Sequence, residues 1–580
     1  MFDRPWYKLP LPLALLKLVQ FRNKLREENL HDTSTLPNRG DLPKPWPDPK
    51  GTHQYWRTAD GSFNDLKQPE MGMAGTRFGR NVPLSEVKAD EQTLHRPSAR
   101  KVSQALLTRD QFIPVTILNV HAASWIQFQT HDWFSHGTNQ PGNQWKVPVE
   151  ADDPWPQDQR PMKVDKTLAD RSRPANAVPP SFINTETHWW DASQIYGSNQ
   201  EMIDKLRSHS DGKMRIEANG YLPLEKEIDL VAFPGTWWFG LSMLHTLFVK
   251  EHNSICDCLK QAYPQWDDEQ LFNHARLINA ALIAKIHTVE WTPAILPHPA
   301  TALAMRINWW GILGQRFKKM FGRVGTGEVL SGIIGSTPEH HAAPYYLTEE
   351  FVSVYRMHPL VPDQFDFYSH QSGELIGSKP FMEGFDKKTR AMMQEIGMEN
   401  LFYSFGINHP GALTLHNYPN FLRKLVKENG EAFDLAAVDI LRDRERGVPR
   451  YNRFRELVGR GRVNSFEEIT SNPQWAEELR KVYDNDINQV DLMVGLYAED
   501  IPEGFGFSET AFRVFILMAS RRLKSDRFFT KDYRAEVYTQ QGLDWIEDNT
   551  MLTVLRRHHP GLSPALDGIQ NAFAPWRRIK

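Results

Sequence analysis

Two consecutive helical patterns between residues 237 and 295 constrain the fold more than any other feature of this sequence. In WWFGLSMLHTLFVKEHNSICDCLKQAY and DEQLFNHARLINAALIAKIHTVEWT, apolar residues recur with the spacing of a helix that buries one face. Further helical patterns follow near 346–358, 388–400, 431–446, 474–484 and 508–524. Strand-like alternation is rare and short. The chain is therefore predicted to be mainly α-helical.

Long loops are expected between these helices. Residues 30–100 and 138–185 are rich in Pro and Asp and lack a clear period, which favours irregular structure, whereas 113–137 predicts one more helix. We expect an N-terminal helix and an irregular wrapping arm over residues 1–100, and one large helical domain with long loops over 101–580. The sequence contains neither GxGxxG nor GxxxxGK[ST], which argues against a doubly wound nucleotide-binding fold.

Charge and cysteine content exclude several classes of protein. The formal net charge is -3, so no global field attracts nucleic acid, and none is expected as a partner. The two cysteines, Cys256 and Cys258, stand at i and i+2, where helical side chains diverge. A disulfide framework is therefore excluded, and a reducing, cytoplasmic compartment fits this composition best.

The N-terminus contains an apolar stretch from Leu9 to Phe21 that is interrupted by Lys17 and followed by basic residues. This stretch is too short to span a bilayer. Two interpretations stay open at this point. The segment is either a helix docked on the protein body or an interfacial helix that makes peripheral contact with a membrane.

Two pairs of residues suggest proton transfer or ligand binding. In QFQTHDW, Gln127 and His131 are four apart and share a helix face. A neutral imidazole there can move a proton, but this motif taken alone favours a structural histidine. In KIHTVEWTP, His287 and Thr292 are five apart, which is not one helix face. Pro293 predicts that the helix frays and lets Thr292 turn inward, and the alternative is an ordinary helix end.

The stretch THWWDASQIYGS offers several oxygen atoms within one short loop. Thr187, the Trp189 carbonyl, Asp191 and Ser193 alternate along it, and Asp132 could add a second carboxylate. Oxygen ligands in this arrangement suit Ca²⁺. An Asx turn that opens the next segment explains the same pattern without an ion.

The stretch VYRMHPLVPD places Tyr355 and His358 three residues apart, with Pro359 directly after the histidine. This pattern predicts a helix that ends at His358 with the phenol and the imidazole on one face. A histidine can be an axial haem ligand, and a tyrosine close to haem can be oxidised. A packed tyrosine and a capping histidine fit the pattern as well.

The motifs taken in order are more informative than each one alone. QxxxHD, TxWxDxS, LHTLFVKEHN, YRxHP, RDRERGVPRYNRFREL and SDRFF resemble the animal-type haem peroxidase and cyclooxygenase superfamily. More narrowly, AKIHTVEWT, MRINWWG, ILMASRRLKSDRFF and the opening WYKLPLPLALLKLVQFRNKLREENL are similar to the fatty-acid α-dioxygenases of plants and bacteria. The resemblance covers almost the whole chain and implies a haem-peroxidase-like catalytic domain over 101–580.

The resemblance also implies roles for individual residues. His358 matches the proximal ligand of haem b, Asp439 its hydrogen-bonding partner, His131 the distal histidine with Gln127 near it, and Tyr355 the radical-bearing tyrosine. The family's calcium ligands correspond to Asp132, Thr187, Trp189, Asp191 and Ser193. The groups that hold the substrate carboxylate correspond to His287, Thr292 and Arg522, with Arg522 preferred over Arg521.

Two departures from the superfamily pattern refine this expectation. Thr130 and Trp237 stand where peroxidases with covalently bound haem carry acidic residues, so haem is expected to be bound non-covalently. Pro234 falls roughly where peroxidases place an arginine, so poor peroxidase activity with small phenols is expected.

The activity implied by the resemblance is haem-dependent α-dioxygenation. A hydroperoxide activator leads to a radical on Tyr355, and O₂ adds to C2 of a fatty acid to give a 2-hydroperoxy acid, or an aldehyde after loss of CO₂. The protein is expected to act as a monomer and to bind Ca²⁺. The alternatives are a mid-chain fatty-acid dioxygenase, a haem peroxidase and a lipid or haem carrier without catalysis.

Overall fold

Helices build most of the molecule, which confirms the predicted fold class. The computed structural model describes residues 5–38, 43–45, 51, 55–89, 91–139, 141–174, 176–427 and 429–579; residues 1–4, 39–42, 46–50, 52–54 and 90 of the predicted N-terminal region therefore lie outside the described residues. The α-helices are Leu11–Glu28, Glu91–Leu94, Ala99–Val102, His121–Trp133, Ser193–Tyr196, Gln200–Leu206, Phe239–Ala262, Asp268–Ile286, Thr292–Ile295, Pro299–Trp310, Gly314–Phe321, Glu328–Ser331, Glu349–Val354, Thr389–Ile396, Met398–Ile407, Asn420–Arg423, Leu435–Glu445, Tyr451–Leu457, Pro473–Val482, Leu492–Ala498, Glu509–Ser525, Ala535–Tyr538, Gln540–Asp548, Met551–His558 and Ser563–Leu566.

The strands among the described residues form only short antiparallel pairs. The pairs are Thr76–Arg77 with Ile183–Asn184, Gln144–Val147 with Met162–Asp165, Leu224–Glu225 with Ile228–Asp229, Gln364–Tyr368 with Leu375–Pro380, and Leu425–Val426 with Ala432–Phe433. Each pair is short and isolated, so helices supply most of the core, to which strand residues such as Val164 and Phe367 also contribute.

The two longest predicted helices form the centre of the core. Phe239–Ala262 and Asp268–Ile286 pack against each other, and a capping box at Asp267 starts the second of them. The helix His121–Trp133 packs on the first through aromatic rings, with the centroids of Phe128 and Phe248 5.7 Å apart. This packing buries the helix that carries the candidate histidine and aspartate.

Two helices differ in length from the prediction. Residues 113–115 are extended rather than helical, because Val115 N donates to Pro410 O and Ala412 N donates to Ile113 O, at 2.9 and 2.7 Å. These contacts between distant segments explain why the predicted helix over 113–137 is wrong in extent and begins only at His121. The predicted helix over 388–400 is two helices, because Gly397 adopts a φ of +84° between them.

The connection between Tyr355 and His358 also differs from the prediction. The helix Glu349–Val354 ends before Tyr355, and His358 begins a separate 3₁₀ turn, His358–Leu360. The expectation of one helix that ends at His358 is therefore wrong. Pro359 lies in the first turn of the 3₁₀ segment, where its missing N–H costs no hydrogen bond.

A π-helical turn interrupts the second long helix at His287–Trp291. Thr292 N–H donates to His287 O, five residues back, and an α-helix continues from Thr292 with Pro293 in its first turn. The expectation that Pro293 frays the helix is therefore wrong, because the backbone widens by one residue instead. This i to i+5 geometry places His287 and Thr292 one turn apart.

The N-terminal helix Leu11–Glu28 is docked on the body of the protein. Leu18 and Leu25 are buried, and Arg22 Nη2 lies 3.1 Å from Glu328 Oε2. Among the residues that the structure describes, no helix is both long and apolar enough to cross a membrane.

Ion pairs hold the arginine-rich stretch RDRERGVPRYNRFR in place. Arg444 Nη2 lies 2.7 Å from Asp491 Oδ2, and Arg450 binds the same carboxylate. Asp491 is buried, so these pairs fix the end of the helix Leu435–Glu445.

Candidate active site

Tyr355 is buried in an aromatic environment. Its side chain is 6% exposed, and its ring centroid lies 5.1 Å from that of Trp133 and 4.5 Å from that of Phe351. Burial raises the pKa of Tyr355 above its ordinary value, and the nearby Arg522 only partly opposes this shift. The phenol is therefore protonated at neutral pH and keeps its O–H hydrogen for chemistry.

His358 lies beside a buried carboxylate and keeps part of its ring accessible. Its Nδ1 lies 2.9 Å from Asp439 Oδ2, and 34% of its side chain remains exposed. Tyr418 donates to Asp439 at 2.8 Å, and Arg356 also binds this carboxylate. Burial alone would raise the pKa of Asp439, but Arg356 and His358 lower it to about 2. An ionised Asp439 orients the imidazole and increases its donor strength, which suits an axial haem ligand.

His131 and Gln127 share one face of the helix His121–Trp133, as predicted. Burial lowers the pKa of His131 to about 4, so its imidazole is neutral near pH 7, and its Nδ1 has no hydrogen-bond partner among the described residues. The Gln127 amide, in contrast, accepts from Trp238 Nε1 at 2.8 Å and donates to Thr236 Oγ1 at 3.3 Å. His131 therefore has a free nitrogen for proton transfer, whereas Gln127 is held by packing partners.

Arg522 is a buried cation between two tryptophan rings. It is 2% exposed, and its guanidinium carbon lies 4.1 Å from the ring centre of Trp133 and 4.4 Å from that of Trp190. Its Nε and Nη2 have no hydrogen-bond partner in the described part of the chain. A buried charge with unused donors costs free energy until an anion pairs with it. This geometry therefore fits a ligand carboxylate.

Arg521 is used differently from its neighbour. Its Nη2 donates to the carbonyl oxygens of Ala343 and Pro344 at 2.7 and 2.9 Å, and to that of His340 at 3.1 Å. These bonds fix the loop that contains His340, Ala343 and Pro344, and they leave Nη2 of Arg521 unable to bind a ligand as well. The geometry therefore favours Arg522 as the carboxylate-binding residue.

His287 supplies a neutral donor to the same region. Its ring lies 5.3 and 5.1 Å from those of Trp133 and Trp190. Trp125 Nε1 donates to His287 Nδ1 at 3.1 Å, so the neutral ring carries its proton on Nε2. Burial lowers the pKa of His287 well below its ordinary value, and Arg522 lowers it further. Thr292 is 1% exposed at the other end of the π-turn.

The predicted calcium ligands form a buried cluster of oxygen atoms. Ser193 N and Oγ both donate to Asp132 Oδ1, at 2.6 and 3.0 Å. Asp132 Oδ2, Thr187 Oγ1 and both carboxylate oxygens of Asp191 are buried and accept no hydrogen bond from any described residue. Burial and the charge of Asp191 raise the pKa of Asp132 well above its ordinary value. The residues present therefore fit a hard cation with oxygen ligands.

The remaining predicted ligand, Trp189, lies beside this cluster. Its side chain is 1% exposed, its indole N–H donates to Gly61 O at 2.9 Å, and its ring stacks on Tyr345 at 4.6 Å. Packing of this kind fixes the backbone between Thr187 and Asp191.

One turn of helix serves three sites. His131, Asp132 and Trp133 are consecutive, and successive side chains on a helix diverge by about 100°. His131 Nδ1 has no hydrogen-bond partner among the described residues, Asp132 accepts from Ser193 in the oxygen cluster, and Trp133 packs against Arg522. Displacement of this helix would therefore disturb all three sites together.

Several residues of the site are not identified by motif reasoning. Tyr418 and Arg356 bind Asp439, while Trp133 and Trp190 enclose Arg522. Only their places next to motif residues could have identified three of them: Arg356 lies inside YRMHP, Trp133 follows Asp132, and Trp190 precedes Asp191. Tyr418 has no such signal, because it reaches the site from a separate loop.

The three positions at which the sequence departs from the peroxidase pattern are Thr130, Trp237 and Pro234, and the first two donate hydrogen bonds to neighbouring residues. Thr130 Oγ1 donates to Gln127 O at 3.0 Å, and Trp237 Nε1 donates to Asp229 Oδ2 at 3.0 Å. Neither side chain offers a carboxylate for an ester bond. Pro234 carries no side-chain donor.

Comparison with known proteins agrees with this architecture. The family model of animal haem peroxidases matches residues 56–572. Alpha-dioxygenase PIOX of Nicotiana tabacum is 38% identical, over 98% of this chain and 89% of the relative. Alpha-dioxygenase 1 of Arabidopsis thaliana is 39% identical, over 99% of this chain and 90% of the relative.

Two crystal structures of fatty acid alpha-dioxygenases share the fold. The Arabidopsis thaliana protein has a TM-score of 0.89 and 37% identity, covering 99% of this chain and 90% of that chain. A tyrosine-to-phenylalanine variant of the Oryza sativa protein, crystallised with palmitic acid, has a TM-score of 0.89 and 36% identity, covering 98% of this chain and 94% of that chain. The chain therefore belongs to the animal haem peroxidase family and, within it, to the α-dioxygenases.

Proposed function

We propose that this chain is a haem-dependent fatty-acid α-dioxygenase that adds O₂ to C2 of a fatty acid. The observation that carries the proposal is the Arg522 guanidinium, which is enclosed by Trp133 and Trp190 close to Tyr355 and whose Nε and Nη2 have no hydrogen-bond partner among the described residues. A carboxylate bound there would be fixed by the arginine fork and by His287 Nε2. Anchoring the carboxylate beside the phenol selects the carbon next to it.

His358, supported by Asp439, would hold haem b without a covalent bond, and His131 would be the distal histidine. Bound haem supplies the one-electron oxidation that converts the Tyr355 phenol into a radical. A hydroperoxide activator starts this oxidation, and neutral His131 receives its proton through the free nitrogen. Tyr355 gives up its O–H hydrogen as a proton and an electron.

The reaction on the substrate then balances without another reductant. The Tyr355 radical takes one hydrogen atom from C2, and the phenol reforms. O₂ adds to the carbon radical, and the resulting peroxyl group takes the hydrogen back from Tyr355. The product is a 2-hydroperoxy acid, which can lose CO₂ to give an aldehyde one carbon shorter. We propose that this cycle operates within one monomer.

The experiment that tests this function is O₂ uptake by the haem-loaded protein with palmitic acid, linoleic acid and small phenols in parallel. The proposal expects uptake with the saturated acid, because attack at C2 needs no double bond. Uptake with linoleic acid alone would indicate a mid-chain dioxygenase, and rapid phenol oxidation a peroxidase. Haem or lipid binding without uptake would indicate a carrier.

Replacing His131 with leucine is expected to slow activation. The loss of one positioned proton-transfer group costs about 10² to 10⁴ in rate, so the lag before O₂ uptake lengthens and more hydroperoxide shortens it again. Gln127→Leu serves as the matched control on the same helix face, and its effect should be smaller because the amide is already engaged. A His131→Leu protein with an unchanged lag would remove His131 from the mechanism.

We further propose that Ca²⁺ occupies the oxygen cluster at Asp132, Thr187, Trp189, Asp191 and Ser193. The support is the group of buried oxygens that accept no hydrogen bond from any described residue, with Arg276 Nη2 no nearer than 3.8 Å to Asp191 Oδ2. Stripping the ion with a chelator should lower Tm, since a ligand at 100 times its Kd stabilises the fold by about 2.7 kcal/mol. Restoring Ca²⁺ should recover Tm.

Asp191→Asn should abolish this calcium dependence of Tm. Asp567→Asn, at an aspartate whose side chain is 81% exposed, should keep it. A wild-type Tm that does not respond to chelation and to added Ca²⁺ would contradict the assignment.

A further inference from the structure

The segment between residues 312 and 330 exposes an unusual amount of apolar surface. Met320 is 70% exposed and Phe321 65% exposed, although both stand on the amphipathic helix Gly314–Phe321. The other exposed apolar residues of the segment are Ile312, Leu313, Val324, Val329 and Leu330. Soluble monomers rarely leave such a concentration of apolar side chains in water unless a partner covers them.

Basic side chains accompany this apolar surface. Arg316, Lys318, Lys319 and Arg323 lie in the segment, and no Asp or Glu occurs between residues 311 and 327. Lys319 Nζ lies 2.8 Å from Asp548, but both side chains are more than half exposed, so this pair is weak in water. The segment therefore combines exposed apolar groups with a net positive charge.

The only carboxylate at the end of the segment, Glu328, is already neutralised. Its Oε2 lies 3.1 Å from Arg22 and 3.3 Å from Arg26, and its Oε1 lies 3.3 Å from Lys524. This carboxylate therefore ties the segment to the N-terminal helix and to the body, and it does not cancel the charge of Arg316 or Lys319.

The base of the segment is fixed to the protein body. Lys318 Nζ donates to Trp309 O and Ile334 O at 3.0 and 2.8 Å, and Ile312 N donates to Val329 O at 2.9 Å. At Gly311, φ is +80° and a Cβ would lie 2.2 Å from Leu330 O, so no larger residue allows this closure. The apolar side chains are thus presented outward from a braced base.

We propose that the segment 312–330 docks this protein on the surface of a lipid bilayer that contains anionic phospholipids. Met320 and Phe321 enter the interface between headgroups and acyl chains, and Arg316 and Lys319 lie at the level of the phosphates. A symmetric dimer through the same surface would place these cations opposite their own copies, which disfavours that occupant. The exposed Leu16 of the adjoining N-terminal helix, 53% exposed, extends the apolar surface.

The test is co-sedimentation of the full-length, haem-loaded protein with phosphatidylcholine vesicles, with and without phosphatidylglycerol, in the absence of fatty acid. Wild type should bind, more tightly with phosphatidylglycerol, and added salt should weaken that difference. The double variant M320S/F321S should bind at least about tenfold more weakly, because two inserted apolar side chains are lost.

The matched control is L375S/V426S, which changes two residues that are 57% and 69% exposed elsewhere on the surface; it should bind as wild type does. Equal binding by M320S/F321S, or no binding by wild type, would overturn the proposal. Self-association of wild type in sedimentation velocity that M320S/F321S abolishes, without vesicle binding, would overturn it in favour of a dimer. Because no turnover is measured, failure here is separate from failure of the proposed dioxygenase activity.

Discussion

Replacing Tyr355 with phenylalanine is expected to abolish O₂ consumption with fatty acids and to leave haem binding intact. Phenylalanine keeps the contacts with Trp133 and Phe351 but carries no O–H hydrogen to exchange with the substrate. The rate should fall by at least about 1,000-fold, as expected when the reacting group itself is removed. O₂ uptake and the haem absorption spectrum, measured on the same sample, check both parts of this expectation.

A matched control for this variant is Tyr533→Phe. The Tyr533 hydroxyl is buried and has no hydrogen-bond partner among the described residues, so its removal should change neither folding nor turnover. If Tyr355→Phe keeps more than about a tenth of the wild-type rate, which is only a loss of about 1.4 kcal/mol, the radical role of Tyr355 is wrong.

Replacing Arg522 with methionine is expected to have the second largest effect. The methionine stem can still pack between Trp133 and Trp190, but the substrate carboxylate loses its charged partner. Truncating one member of a buried charge pair costs about 2–5 kcal/mol, which is roughly 30-fold to several thousand-fold in kcat/KM. Preference for a free fatty acid over its methyl ester should disappear in the same variant.

The same substitution should raise Tm in the absence of fatty acid, because it removes a buried cation with unused donors. Arg521→Met is the matched control and should do the opposite. It should lower Tm, because three carbonyl oxygens lose their donor, and should keep the preference for the free acid. Unchanged discrimination between acid and ester in Arg522→Met would exclude Arg522 as the carboxylate-binding residue.

Helical periodicity and ordered motifs predict much of this molecule. The two long helices of the core and the helix with Gln127 and His131 follow from local spacing, because one buried face leaves a repeating pattern in the sequence. The Asp439 contact with His358 follows from the resemblance alone, since the two residues are far apart in the chain.

The parts that could not be predicted depend on local backbone geometry at single turns and on contacts between separate segments. The helix before Tyr355 ends at Val354 because of local cap geometry and the 3₁₀ turn that follows, and hydropathy does not record either. The π-turn at His287–Trp291 brings His287 and Thr292, which are five residues apart in the sequence, to positions one turn apart in the helix. The tryptophans around Arg522 come from two separate segments, so no single stretch of sequence contains that arrangement.

The most direct test of the central claim is oxygenation of palmitic acid that carries two deuterium atoms at C2. We expect the 2-hydroperoxy product to retain one deuterium atom at C2, because Tyr355 removes the other from that carbon and returns it to the peroxyl oxygen, where it exchanges with water. We also expect that the deuterated acid consumes O₂ more slowly than ordinary palmitic acid. O₂ consumption at an unchanged rate, with both deuterium atoms retained and oxygen on another carbon, would contradict attack at C2.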